Sequence, residues 1–162
     1  MHTVTDVRPP GAAGSVGGTL ALPHSHASVR LARARLATDL LSRDLPARVV
    51  QDALLVLTEI LTNAIRHAPP LPSGLVRMSW ELCADSVRIE ITDGGSPEWL
   101  GQALASGGPG KVPRRASLAP GGRGMLIIDA LCPEWGIRPS TEGKTVWAGV
   151  PARTDQPAAK AG

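Results

Sequence analysis

The chain has 162 residues, a formal net charge of +3 at pH 7 and a hydrophobic fraction of 43%, which suits one domain with a sizeable core. Aromatic residues make up 2%, with no Phe and no Tyr, and this scarcity, without a dense basic patch, disfavours direct nucleic-acid binding. Because no apolar run approaches the ~20 residues of a membrane span and no signal peptide is apparent, we expect a cytoplasmic protein with no membrane partner.

The first half of the chain is predicted to hold one short strand and two helices. Residues 1–18, rich in Pro and Gly, are expected to be a disordered lead, and residues 19–22 an edge strand. Ser28 is the predicted N-cap of a helix that ends near residue 43. A second helix is predicted from Pro46, a residue suited to the first helical turn, to about His67.

The second half is predicted to be mainly strands. In order it has two strands (75–83 and 87–93), a long loop rich in Gly, Ser and Pro (94–121), a short apolar helix (124–131) and two further strands (135–138 and 145–150). This order predicts an α+β two-layer sandwich over residues 19–150, with helices on one face of a mixed, mostly antiparallel sheet. Residues 151–162 are expected to be a disordered tail.

The two cysteines, Cys83 and Cys132, are far apart and lack the spacing of metal ligands. We therefore expect two buried thiols in a reducing compartment.

Glu59, Asn63 and His67 lie one turn apart on the second predicted helix, so they project from one side of it. An amide oxygen can ligate Mg²⁺, and a carboxylate can accept a proton from an attacking hydroxyl. On its own, this spacing fits the polar flank of a surface helix better than a catalytic pair.

Two glycine-containing segments could contact a nucleotide. Asp93 ends a predicted strand and is followed by Gly94 and Gly95. Such a carboxylate can accept the amino N–H of adenine, and the glycines let the ring lie against bare backbone. Taken alone, this Asp-Gly segment is more simply interpreted as a turn without a ligand. The run 121–124 precedes a helix whose backbone N–H groups can bind phosphate. A Rossmann motif is disfavoured because no strand leads into this run, and a P-loop is excluded because no Lys-Ser or Lys-Thr follows.

Taken together and in this order, the segments resemble the GHKL (Bergerat-fold) ATPases, and among them the anti-sigma factor serine kinases. The matching segments are Glu59–His67 (EILTNAIRH), Ile91–Gly95 (ITDGG), Gly121–Met125 (GGRGM) and Gly143–Trp147 (GKTVW). The resemblance extends over roughly residues 19–150.

The resemblance implies ATP and Mg²⁺ as cofactors and a role for each site residue. Glu59 is implied as the catalytic base and Asn63 as the Mg²⁺ ligand. Asp93 is implied to bind the adenine ring, and Thr145 is implied to assist it through a shared water. Gly95 is implied to leave room for the ring. The phosphates are implied to meet Gly122, Arg123 and Gly124.

The resemblance further implies that residues 96–120 form an ATP lid. Pro97 stands where many members of the family have a second glycine, which stiffens the start of this segment. Lys111, Arg114, Arg115 and Arg123 are either phosphate-neutralising residues or part of a solvated basic loop.

The implied function is an ATP-dependent serine/threonine kinase that phosphorylates a small anti-anti-sigma protein. A sigma factor is a second candidate partner, and a homodimer is left open. Arg30, Arg33 and Arg35 are a candidate contact face, although a solvated surface is the simpler interpretation. The alternative function is a non-catalytic ATP-binding module that switches partners; the intact Glu59 and Asn63 favour catalysis.

Overall fold

The structure, a computed structural model, describes residues 16–95 and 123–152. In chain order these residues form β1 (Val16–Pro23), α1 (Ala27–Leu41), α2 (Ala47–His67), β2 (Leu75–Leu82), β3 (Ser86–Asp93), α3 (Arg123–Leu131), β4 (Glu134–Ser140) and β5 (Gly143–Pro151). β1 therefore begins three residues before the predicted domain boundary. The predicted lid over 96–120, including Pro97, Lys111, Arg114 and Arg115, lies outside the described residues, as does Gly122.

The five strands form one sheet in the order β1-β2-β3-β5-β4, and every neighbouring pair is antiparallel. The α+β two-layer prediction is confirmed, but the mixed sheet is wrong for the described strands. After α3 the chain enters the edge strand β4 and returns through a hairpin, so that β5 meets β3 in the antiparallel direction.

The core lies between one face of this sheet and the helices. In β3, Val87, Ile89 and Ile91 are all fully buried, as expected for a strand with alternating faces. From α2, Leu57 and Leu61 belong to the same cluster. The core is thus almost wholly aliphatic, as the composition predicts, and α2 lies across the sheet with one long side buried.

The predicted N-cap of α1 is wrong by two residues. His26 is the N-cap residue and makes no side-chain cap, while Ser28 lies inside the first turn. The Ser28 hydroxyl donates to the Pro23 carbonyl at 2.6 Å. Ser28 therefore ties the helix to the end of β1 rather than capping its own backbone. Pro46 likewise directly precedes α2, which begins at Ala47.

The two cysteines differ in environment. Cys132 follows α3 and is buried, but Cys83 is exposed, so the prediction of two buried thiols is wrong for Cys83. Its N–H donates to the Ser86 carbonyl at 2.8 Å, which places it in the β2–β3 hairpin turn. Burial raises the pKa of the Cys132 thiol to about 12, with a further contribution from the Asp52 charge.

Among the described helices, none is both long and apolar enough to cross a membrane.

Candidate functional site

The polar residues predicted on the second helix lie along the C-terminal half of α2. Ile60 and Ala64 are buried, and they orient α2 so that Glu59 and Asn63 lie at the border of the buried side, partly exposed. His67 ends the helix and is exposed. The helix therefore presents a carboxylate and an amide, one turn apart, at the rim of the core.

Glu59 meets the start of α3. A Cβ atom added to Gly124 would overlap the Glu59 carboxylate oxygen Oε2, so only glycine allows this close approach. The structure thus brings together two predicted site residues that are far apart in the sequence. The first backbone N–H groups of a helix are also where an anionic ligand is favoured. Arg123 begins α3.

Asp93 ends β3 as a fully buried carboxylate. Its Oδ1 accepts the Gly95 N–H at 2.8 Å, and its Oδ2 accepts a hydrogen bond from Lys144 Nζ at 2.5 Å. Gly95 has a φ of 62°, which favours glycine because a Cβ is strained there. The carboxylate is therefore held rigidly by its own turn on one side and by β5 on the other.

Thr145 does not reach Asp93. In the β3–β5 register Asp93 pairs with Lys144, whereas Thr92 pairs with Thr145. Since successive side chains of a strand point to opposite faces, Thr145 lies on the other side of the sheet from Asp93. Its hydroxyl is 2.8 Å from the Thr92 hydroxyl. The residue beside Asp93 is Lys144, to which the sequence motifs assign no role.

One backbone hydrogen bond and one histidine side chain join the end of α2 to the residues that directly follow β3 and β1. The Gly94 N–H donates to the Pro69 carbonyl at 2.9 Å. His24 Nε2 lies 3.2 Å from the Ala64 carbonyl, which also accepts the Ala68 N–H, and 2.9 Å from the Ala68 carbonyl directly after α2. The C-terminal end of α2 and the turn at Asp93–Gly95 therefore lie together at one corner of the fold.

Comparison with known proteins assigns this arrangement to a family. Residues 22–150 match the model of the histidine kinase-like ATPase domain. The chain belongs to this family. The GHKL resemblance of the sequence is thereby confirmed, and ATP is the ligand that the family implies. No curated protein matches the chain.

Among solved structures, the chain is similar to the RsbU and RsbW domains of Rv1364c from Mycobacterium tuberculosis. The TM-score is 0.59 at 18% sequence identity, over 85% of this chain and 33% of the other. This chain therefore spans about a third of the length of that structure, and at this identity the similarity supports the fold alone.

The described residues fit an adenine nucleotide. A buried carboxylate beside bare glycine backbone suits the amino edge of a base, and at Gly124 no side chain separates the α3 backbone from Glu59. No group of three His, Cys, Asp or Glu side chains that could hold a metal occurs among the described residues. Mg²⁺ needs no such group, because it commonly uses one or two protein oxygens together with nucleotide phosphates.

Proposed function

We propose that this protein is an ATP-dependent serine/threonine kinase of the anti-sigma factor type, whose substrate is a small anti-anti-sigma protein. The observation that carries the proposal is the Glu59 carboxylate placed against Gly124 at the start of α3. A carboxylate at the rim of the core, beside a helix N-terminus, combines a proton acceptor with a place for phosphate.

In this proposal each of the predicted site residues has a separate role in phosphoryl transfer. Asp93 binds the base, Asn63 holds Mg²⁺ through its amide oxygen, and the backbone at Gly122–Gly124 holds the phosphates. Bound MgATP supplies the transferable γ-phosphoryl group. Glu59 takes the proton of a serine hydroxyl of the partner while that oxygen bonds to the γ-phosphorus, the bond to the β-phosphate oxygen breaks, and ADP leaves.

Support for the partner class comes from the quoted motifs, which resemble anti-sigma factor serine kinases, and from the RsbW domain in the similar solved structure. An exposed part of α1 is the candidate contact face. Arg30 and Arg35 are exposed there, and Leu31 between them is 43% exposed. This set suits a partner that presents carboxylates around an apolar residue.

Arg33 is excluded from that face by its own contacts. Its guanidinium donates to the Leu54 carbonyl at 3.1 Å and to the Thr58 hydroxyl at 2.6 Å. It therefore joins α1 to α2, and the basic face predicted from three arginines reduces to Arg30 and Arg35.

The decisive experiment is incubation with γ-labelled ATP and Mg²⁺ together with small candidate anti-anti-sigma proteins of the same organism. We expect label on a serine or threonine of one partner, located by mass spectrometry, and little label with Glu59→Gln. A wild-type protein that binds ATP and a partner but transfers no phosphate would instead support the non-catalytic partner-switching module. A sigma factor is tested as a second partner by binding alone.

A further inference from the structure

The Asp93–Lys144 pair is an unusual feature of the corner. Lys144 Nζ lies 2.5 Å from Asp93 Oδ2; the Asp93 side chain is fully buried and that of Lys144 is 12% exposed. The two residues face each other across the central strands β3 and β5. The carboxylate expected to bind adenine is therefore already paired with a mostly buried cation.

A ligand that displaced Lys144 would leave the pair in an unfavourable state. A buried carboxylate that loses its counter-charge is strongly destabilised, because neither water nor another cation replaces the lost interaction. The amino group of a neutral base carries no charge and is a poor substitute for an ammonium. A nucleotide that binds here while Lys144 stays paired with Asp93 avoids this cost.

Both side chains retain hydrogen-bonding capacity in that arrangement. A carboxylate has about four acceptor positions, and Asp93 uses one for the Gly95 N–H and one for Lys144. An ammonium has three donors, of which one points to Asp93. The pair can thus offer an acceptor and a donor side by side.

We propose that Lys144 is a second base-recognition residue, which donates a hydrogen bond to adenine N1 while Asp93 accepts one from the adenine amino group. The Watson–Crick edge of adenine presents that donor and that acceptor next to each other, matching the pair. Of the two side chains, only that of Lys144 has exposed surface, 12% against 0% for Asp93. The inference rests on the proposed ATP binding and assigns a residue that the motif at Asp93 does not include.

The test compares MgADP with Mg-1-deaza-ADP, in which N1 is replaced by C–H, by titration calorimetry. For the wild type we expect the 1-deaza compound to bind roughly 10- to 100-fold more weakly, as for the loss of a hydrogen bond to a charged group. Lys144→Met, which keeps the apolar stem without the donor, should bind both nucleotides equally and weakly. Lys144→Arg, which keeps a cationic donor, should retain a preference for ADP.

Arg138→Met is the matched control. Arg138 is on the edge strand, 42% exposed, and pairs with Glu90 at 2.8 Å. The Arg138→Met substitution removes one cation from the opposite face of the sheet. It should leave the difference in affinity between ADP and 1-deaza-ADP unchanged. Thermal unfolding without nucleotide establishes that each variant is folded.

The outcomes separate this inference from the proposed function. Equal wild-type affinity for ADP and 1-deaza-ADP leaves ATP binding intact but overturns the role of Lys144, and this comparison needs no variant to fold. Tighter ADP binding by Lys144→Met would also overturn it, because the base would then be displacing the lysine. If the wild type binds neither nucleotide, the proposed function fails and this inference fails with it.

Discussion

Glu59 and Asn63 are one turn apart on α2 but differ in chemistry, since one side chain can accept a proton and the other can ligate a cation. We expect Glu59→Gln to bind MgATP within a few-fold of wild type while phosphotransfer falls by roughly 10²–10⁴, the usual contribution of a general base. Asn63→Ala should lose both Mg²⁺-dependent ATP affinity and phosphotransfer. Calorimetry and the labelled-ATP assay measure the two effects separately.

A stability measurement completes this comparison. If Glu59 had only a structural role, Glu59→Gln would lower the free energy of unfolding and leave the rate per folded molecule unchanged. That result would remove Glu59 from the proposed chemistry.

Gly124 allows a second test at the level of single residues. The new methyl group of Gly124→Ala would overlap the far end of the Glu59 side chain, and that end can rotate away at little cost. We therefore expect nearly unchanged stability but a displaced carboxylate, and so a clear loss of phosphotransfer. Gly149→Ala is the control, because its nearest neighbour would lie 3.7 Å away, an ordinary contact.

Denaturant unfolding and the phosphotransfer assay would be applied to both glycine variants. Equal activity of Gly124→Ala and Gly149→Ala would mean that the position of Glu59 relative to α3 has no bearing on transfer.

At the scale of elements, Asp39 connects α1 to the sheet. Its Oδ2 accepts the Trp80 indole N–H at 2.8 Å, and Arg43 binds the same carboxylate at 2.9 Å. Partial burial acts to raise the pKa of Asp39, but the hydrogen bonds from Arg43 and Trp80 and the charges of Arg43 and Arg35 outweigh it and lower the pKa below its usual value.

This shift has a defined sign in the pH dependence of stability. A lowered folded-state pKa means that the unfolded chain binds the proton more tightly, so the contribution is complete above about pH 4 and is lost as the pH falls through the folded-state value. We expect Asp39→Asn to be less stable than wild type in urea at pH 7, with the difference shrinking toward pH 3. A difference that is constant over this range would mean that the carboxylate charge contributes nothing to the link.

The elements themselves were largely predictable from sequence, because their signals are local. The alternation of β3 and the apolar stripe of α2 each belong to a single segment, and both elements occur within a few residues of their predicted bounds. The failures involve tertiary contacts. Ser28 carries a valid cap signal, yet its hydroxyl binds the Pro23 carbonyl, and the pairing of Asp93 with Lys144 rather than Thr145 depends on a strand register that no local pattern specifies.

At the scale of the whole molecule, the two thiols should report the folded state. Cys83 is exposed in a hairpin turn, while Cys132 is buried with a pKa near 12, so it has almost no thiolate at pH 8. We expect iodoacetamide to label Cys83 rapidly in the native protein and Cys132 only in denaturant, as followed by peptide mass spectrometry. Rapid native labelling of Cys132 would show that the region after α3 opens readily.

The same antiparallel sheet has a consequence for the order in which the chain folds. β2 and β3 are joined by a tight hairpin, but β5 joins β3 only after a long closure: Asp93 and Lys144 are 51 positions apart. Closing so long a loop costs entropy before any contact compensates it, and contacts distant in sequence slow folding. The β1–β2 pairing needs a closure of the same length, because its nearest partners, Pro23 and Leu75, are 52 positions apart. We therefore expect the β2–β3 and β4–β5 hairpins to form early and the β1–β2 and β3–β5 pairings to form late. The Asp93–Lys144 pair proposed to bind the base joins β3 to β5, so the base site would be completed only in the late stage of folding.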